Sequence, residues 1–254
     1  MRLIISPAKK MNEDKDTLMP LGFPVFLENA EEIMRWMQTL SFEECRKLWG
    51  CNEKIARLNF QRFTKMELRR GLTPAILSYE GIQYQYMAPA VFEESQYGYI
   101  QEHLRILSGF YGILKPMDGV TPYRLEMQAK AEIAGKRNLY DYWGGKLYRE
   151  LLDESRVIVN LASREYSQCI EKYLGPQDRF VTCVFGEYID GKVRQKGTYA
   201  KMARGEMVRF MAEKNIETPE GMKGFDRLGY RFRKELSSRD EYVFLKELQD
   251  NCLK

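Results

Sequence analysis

The spacing of apolar and polar positions along this chain predicts a protein of mixed helices and strands. The run RLII at 2–5 reads as a buried strand, which the chain leaves through Ser6, Pro7, Ala8, Lys9 and Lys10. From 28 to 40, Ala30, Ile33, Met34, Met37 and Leu40 recur at helical spacing and predict one apolar face. Ser41 with Glu44 three residues on has the spacing of a capping box and starts a second helix. Asn52 is placed to cap a third, with Ile55, Leu58 and Phe63 inward. After Pro74, Ile76, Leu77 and Tyr79 predict a short strand that turns at Glu80-Gly81. A helix is expected over 93–107, with Ile100, Leu104 and Leu107 on one face, and another over 138–152, weakened by Gly144-Gly145.

The second half reads as sheet followed by helix. VIVNLA at 157–162 is a continuous apolar, β-branched run, the pattern of a central strand covered on both faces. FVTCVFGEYI and KVRQKGT, over 180–198, flank Asp190-Gly191, a hairpin turn dipeptide. Residues 199–215 are helical apart from Gly205, and Thr218-Pro219 reads as a cap with a first-turn proline. GYRFRKEL and EYVFLKEL are the expected closing strands. No repeat, low-complexity tract or linker interrupts the chain. The expected fold is α+β (mixed α/β), one compact domain over 1–254 with a mixed sheet surrounded by helices.

Composition narrows the function class. Hydrophobic residues at 44% and charged residues at 30% are ordinary for a globular protein. No apolar run approaches the roughly 20 residues of a membrane span, and MRLIISPAKKM is too short for a signal peptide, so a cytoplasmic protein is expected. Five cysteines (45, 51, 169, 183 and 252) without a CxxC argue against a disulfide framework. A lone histidine, His103, leaves little from which to build a His/Cys metal site. A carboxylate-only site stays open, but neither a metal nor a cofactor is expected. The net charge is only +4, yet residues 192–234 hold twelve Lys/Arg against five Asp/Glu. A basic third on a mildly acidic body suits a partner with phosphates, although a solvated surface reads the same way.

Four segments could carry chemistry. The strand at 157–162 ends in Ser163, Arg164, Glu165 and Tyr166, which brings polar groups to a sheet's C-terminal edge, where α/β sheets often hold ligands. Ser163 could equally be a helix cap, with Tyr166 packed on the sheet. The spacing is not that of a Gly-x-Ser-x-Gly elbow. Lys9 and Lys10 leave the first strand where an anion, or only water, could meet them; no Gly-rich phosphate loop accompanies them. Lys201 and Arg204 share a helix face, and Lys192, Arg194 and Lys196 alternate along one strand face. Finally, LRILSGFYGILKPMDGVTPYRLEM at 104–127 breaks an apolar run with Gly109 and Gly112. Such glycines permit a turn whose backbone N–H groups hold a phosphate, flanked by Arg105, Lys115 and Arg124. They also permit a core turn that brings Phe110 and Tyr111 inward.

These segments resemble the YaaA family. The likeness is carried by ISPAKKM at 5–11, the 104–127 segment, NLYDYWG at 138–144, VNLASREYS at 159–167, YAKMARGEMVRF at 199–210 and the F-x-x-x-GY-x-F spacing at 225–232. The resemblance implies a family-specific fold with a positively charged cleft and a helix-hairpin-helix element. It also implies DNA binding, double-stranded, bubbled or junction, linked to peroxide stress, to DNA protection or repair and to limiting free iron. No established enzymatic activity comes with it. Two departures stand out. The usual helix-hairpin-helix turn has glycines two apart, whereas Gly109 and Gly112 are three apart, and Met202 to Phe225 is a rival helix–turn–helix stretch. The family reads aromatic-x-Gly-Asp-Val-Tyr where this chain has Tyr79-Glu80-Gly81-Ile82-Gln83-Tyr84. The expected DNA-contacting set is thus Lys9, Lys10, Arg105, Gly109, Gly112, Lys115, Arg124, Lys201 and Arg204. The alternative is an enzyme acting on a nucleotide or damaged DNA with Ser163, Glu165 and Lys9, in a cleft that also holds Ser6 and Tyr166.

Overall fold

The computed structural model describes residues 1–14 and 16–247. Leu248, the last position of the expected closing strand, and Cys252 lie outside the described residues. The chain opens with β1 (Arg2–Ile5) and the short β2 (Lys10–Met11), then α1 (Leu27–Thr39), α2 (Phe42–Trp49) and α3 (Glu53–Thr64). The capping box at Ser41–Glu44 is present, and Asn52 accepts the Ile55 N–H, so both helices start where the sequence predicts. Leu58, expected inward, is exposed; Ala56, Asn59 and Phe63 form the buried face of α3 instead.

The next segment departs from expectation. β3 (Thr73–Pro74) leads into one helical turn, α4 (Ala75–Ser78), then β4 (Tyr79–Glu80) and α5 (Ile82–Met87). The expected strand over Ile76–Tyr79 is therefore only its last residue and Glu80. α6 (Glu94–His103) stops four residues early, and Leu104 begins β5 (Leu104–Ser108). Leu104, Ile106 and Leu107 are fully buried, and a buried run of this length has no periodicity that tells strand from helix. Pairing with β1 decides it, in parallel register Leu3↔Leu104 to Ile5↔Ile106. β6 (Gly112–Leu114) folds back on β5, and β7 (Gly119–Val120) pairs with β3.

The expected helix over 138–152 is two, α7 (Leu139–Trp143) and α8 (Lys146–Leu151), broken where Gly144 takes a φ of +50°. β8 (Val157–Leu161), α9 (Arg164–Glu171), β9 (Arg179–Ile189) and β10 (Lys192–Arg194) follow, with Asp190 and Gly191 both at positive φ in the hairpin turn. α10 (Gly197–Glu213) runs through Gly205 without a break. A 3₁₀ turn over Pro219–Gly224 precedes β11 (Tyr230–Phe232) and β12 (Glu241–Lys246).

The main sheet has the order β11-β12-β9-β8-β1-β5-β6, with β10 paired to the end of β9. The five strands from β12 to β5 are parallel, and β6, β10 and β11 are antiparallel additions at its margins. Leu3, Ile4 and Ile5 of the central β1 have no exposed surface, as a parallel strand covered on both faces requires. α10 packs on β9 and, across Gly205, on α5. A Cβ at Gly205 would stand 2.1 Å from the Gln83 carbonyl oxygen, so only glycine allows the two helices this close. No helix among the described residues is long and apolar enough to cross a membrane.

Candidate functional site

The sheet order reverses at β1. β5 follows it on one side, and β8, β9 and β12 build outward on the other. Ligand crevices of open α/β sheets lie at such switch points, beyond the carboxyl ends of the strands. Ser6 directly follows β1, and Ala162-Ser163 directly follow β8. A cleft of about 380 Å³ opens there, within the ~300–1,000 Å³ usual for ligand sites. Residues 6–10, the start of α5, residues 123–126, the start of α9 and one face of α10 form its walls.

At its floor the two strand exits are joined. The Ser163 N–H donates to Ser6 Oγ at 2.8 Å, and the Ser6 hydroxyl donates to Ser163 Oγ at 3.1 Å. Ser163 holds the N-cap position of α9, as the sequence suggests, but its hydroxyl caps no amide; its carbonyl accepts the Tyr166 and Ser167 N–H groups. Tyr84 donates its hydroxyl to the Ser6 carbonyl at 3.0 Å. The Tyr123 hydroxyl bonds to Ser108 at 2.6 Å and to Tyr79 at 2.8 Å. Burial pushes Tyr123 up to about 12 and holds Tyr84 and Tyr166 well above the ordinary phenol range, so all three are neutral hydroxyls at physiological pH.

The cleft's charge is positive, because five cations face three carboxylates. Lys10 pairs with Glu80 at 2.6 Å. Glu126 receives both Lys9 at 2.8 Å and Arg124 at 3.0 Å. Lys201 and Arg204 have no ion-pair partner among the described residues. The Nε atoms of Arg124 and Arg204 are buried without a hydrogen-bond acceptor in the protein. Burial lowers the pKa of Arg204, but a guanidinium starts above 12 and stays charged. A cation with unmet donors inside a cleft is a place for an anion. Glu165, in the first turn of α9, is pushed up by burial, while the Gln128 N–H, which donates to it at 3.3 Å, acts the other way.

Of the residues expected from the sequence, Ser6, Lys9, Lys10, Arg124, Ser163, Glu165, Tyr166, Lys201 and Arg204 meet in this cleft. Arg105, Lys115, Gly109 and Gly112 do not. No helix lies within 104–127; the segment is a strand hairpin, so the helix–turn arrangement expected there is absent. Its turn is buried, and the Phe110 and Tyr111 N–H groups donate to Ser108 Oγ at 3.1 and 2.9 Å. No N–H of that pair is left for a phosphate. The glycines serve packing: a Cβ on Gly109 would stand 2.5 Å from the Leu125 carbonyl oxygen, and Gly112 combines a φ of +76° with contact to Trp143. Arg105 is buried with its guanidinium on the carbonyls of Gln101, Glu102 and Leu104. With Lys115 it lines a separate cavity beside Asp118. The rival stretch is α10 followed by the 3₁₀ turn at Pro219–Gly224. The expected basic strand face is shorter than predicted, because β10 ends at Arg194 and Lys196 is the N-cap residue of α10; Arg194 pairs with Asp190 and Lys196 with Glu187.

Glu126, Tyr84 and Tyr123 belong to the cleft and were not singled out from the sequence. Glu126 had a signal, since Arg124 and Glu126 stand two apart in an extended stretch and share a side. Tyr84 and Tyr123 stand in the 79–84 and 104–127 segments compared with the family, but only the fold brings Tyr84 to Ser6 and Tyr123 to Ser108. Ile82 lines the cleft at the position where the resemblance implies an aspartate. Among the described residues no group of three or more His, Cys, Asp and Glu is placed to hold a metal ion.

The family model described as peroxide stress protein YaaA matches residues 1–236. A UPF0246 protein of Agathobacter rectalis is 59% identical over 248 residues, covering 98% of this chain and all of the relative. One from Desulfitobacterium hafniense is 58% identical over 250 residues, again covering 98% of this chain and all of the relative. One from Pediococcus pentosaceus is 51% identical over 246 residues, covering 97% and 98%.

Proposed function

The chain belongs to the peroxide stress protein YaaA family, and we propose that it serves that response as a single-domain DNA-binding protein of the cytoplasm. On this reading the cleft at the ends of β1 and β8 grips phosphates of duplex or distorted DNA, through Arg204, Arg124, Lys201, Lys9 and Lys10. The observation that carries it is Arg204: a half-buried guanidinium, without an ion-pair partner among the described residues, in a cleft where cations outnumber carboxylates. Phosphate contacts of this kind position a duplex without reading its sequence. Links to DNA protection or repair and to limiting free iron are then consequences of DNA binding. A single histidine and scattered cysteines are a poor ligand set for iron and support an indirect iron effect. The reading is tested by measuring binding to duplex and bubbled DNA at low salt with wild type and Arg204→Ala. Clear weakening in the variant is expected; equal affinity removes Arg204 from the interface.

A second reading, an enzyme acting on a nucleotide or damaged DNA, is favoured by one observation. Glu165 has its proton affinity raised by burial and lies in the same cleft as the Ser6–Ser163 pair and Lys9. A carboxyl shifted in this direction suits general acid–base work. Incubation with abasic, nicked and junction DNA should then yield a product that Glu165→Gln abolishes. Turnover absent, or insensitive to that change, counts against it.

A further inference from the structure

A second groove continues the cleft. Its volume is about 760 Å³, and it shares Lys9 and Glu126 with the cleft, so this ion pair stands at the boundary between the two. Trp36 comes from α1, Lys47 and Trp49 from α2, and Lys130 from the segment beyond Met127. Both are lined by lysines, but the groove adds two indoles where the cleft has serines, tyrosines and arginines. Trp49 is only 5% exposed, and its buried indole N–H has no acceptor in the protein. Lys47 and Lys130 are exposed and have no ion-pair partner among the described residues. The two carboxylates in the groove wall are already engaged. Glu44 accepts the Ser41 N–H and hydroxyl in the capping box, and Glu126 holds Lys9 and Arg124.

We propose that this groove is a subsite for an unpaired nucleotide flanking the one whose phosphate sits in the cleft, with its base against Trp36 and its phosphate near Lys47 and Lys130. The inference rests on the cleft being a phosphate site, and it adds that the bound strand is single at this point. Three properties select this occupant. The uncompensated charge is positive, which suits a phosphodiester. An indole face stacks any base, whereas the bases of a closed duplex present only their edges. The groove also adjoins the cleft across the Lys9–Glu126 pair, so neighbouring nucleotides of one strand can occupy the two. Aromatic platforms beside basic side chains are the recurring composition of single-strand sites.

The test uses intrinsic fluorescence, since the chain has three tryptophans and two of them line the groove. The third, Trp143, is buried and donates its indole N–H to the Gly109 carbonyl. A ten-residue oligothymidylate is titrated into wild type, Trp36→Ala, the double variant Lys47→Gln/Lys130→Gln, and Arg204→Ala. Quenching is expected in wild type. Trp36→Ala is expected to lose about fivefold or more in affinity, the usual worth of one stacked base, and the double lysine variant should bind more weakly with a shallower salt dependence. Unchanged affinity in both groove variants, with loss in Arg204→Ala, overturns the groove while the cleft reading stands. Loss in the groove variants with full affinity in Arg204→Ala overturns the cleft reading and with it the flanking arrangement, leaving the groove as a nucleotide site on its own. No binding by wild type overturns both. Should Trp36→Ala fail to fold, the lysine pair, which is exposed, decides.

Discussion

Arg204 and Arg124 line the same cleft in different electrostatic states. Arg124 is bonded to Glu126, which Lys9 also neutralises, whereas Arg204 faces the cleft without a carboxylate partner among the described residues. Arg204→Lys should therefore retain part of the DNA affinity that Arg204→Ala loses, since it keeps the charge but not the planar fork, and a binding isotherm for each separates the two contributions. Asp118 offers a test away from the cleft. Burial raises it to about 6, while the Lys115 N–H and the charges of Lys115 and Arg105 act the other way. The folded protein then holds a proton that the unfolded chain releases near pH 4. Stability from this group is present below about pH 4 and is lost as pH rises to about 6. Urea unfolding of wild type against Asp118→Asn across that window should show the wild type losing stability relative to the variant; parallel curves contradict it. At this scale the sequence was informative where spacing is local. Lys201 and Arg204 three apart do share the cleft face. It was silent on Tyr84 and Tyr123, which reach Ser6 and Ser108 only through the fold.

The pairing of α5 with α10 is the element-scale feature that shapes the cleft, because α5 contributes Gln83 and Tyr84 and α10 contributes Lys201 and Arg204. Gly205 permits it. Gly205→Ala gains helix propensity, yet its methyl would meet the Gln83 carbonyl at 2.1 Å. The expected net effect is destabilisation of about 1–2 kcal/mol, since an overpacking cost of up to about 3 kcal/mol exceeds the ~1 kcal/mol gained in propensity, and chemical unfolding measures it. A neutral or stabilising outcome would mean that the helices separate freely. Elements with their own start and stop signals were legible: Ser41 and Asn52 cap where expected, and Asp190-Gly191 turns the hairpin. The stretch from Leu104 to Leu107 was not. Its leucines match a helical face as well as a buried strand, and the deciding partner, β1, lies about a hundred residues earlier.

At the scale of the whole molecule, the sheet reversal at β1 turns scattered motifs into one site. The segments ending at Ser6 and Ser163 are 157 residues apart in sequence, yet they are hydrogen-bonded side by side. The arginines and lysines around them come from three separate stretches, residues 9–10, residue 124 and α10. The basic third of the sequence pointed to a phosphate partner, but only part of it, Lys201 and Arg204, reaches the cleft; Arg194 and Lys196 are spent on neighbouring acids. The glycine turn at 109–112, which the sequence allows as a phosphate grip or a core turn, is a core turn with Phe110 and Tyr111 buried. Phosphate gripping by the cleft is tested most directly by the salt dependence of DNA affinity in wild type and in the double variant Lys201→Gln/Arg204→Gln. Each lost phosphate contact lowers the log–log slope by about 0.9. The account predicts a steep wild-type slope that falls by about two in the variant; an identical slope in both proteins contradicts it.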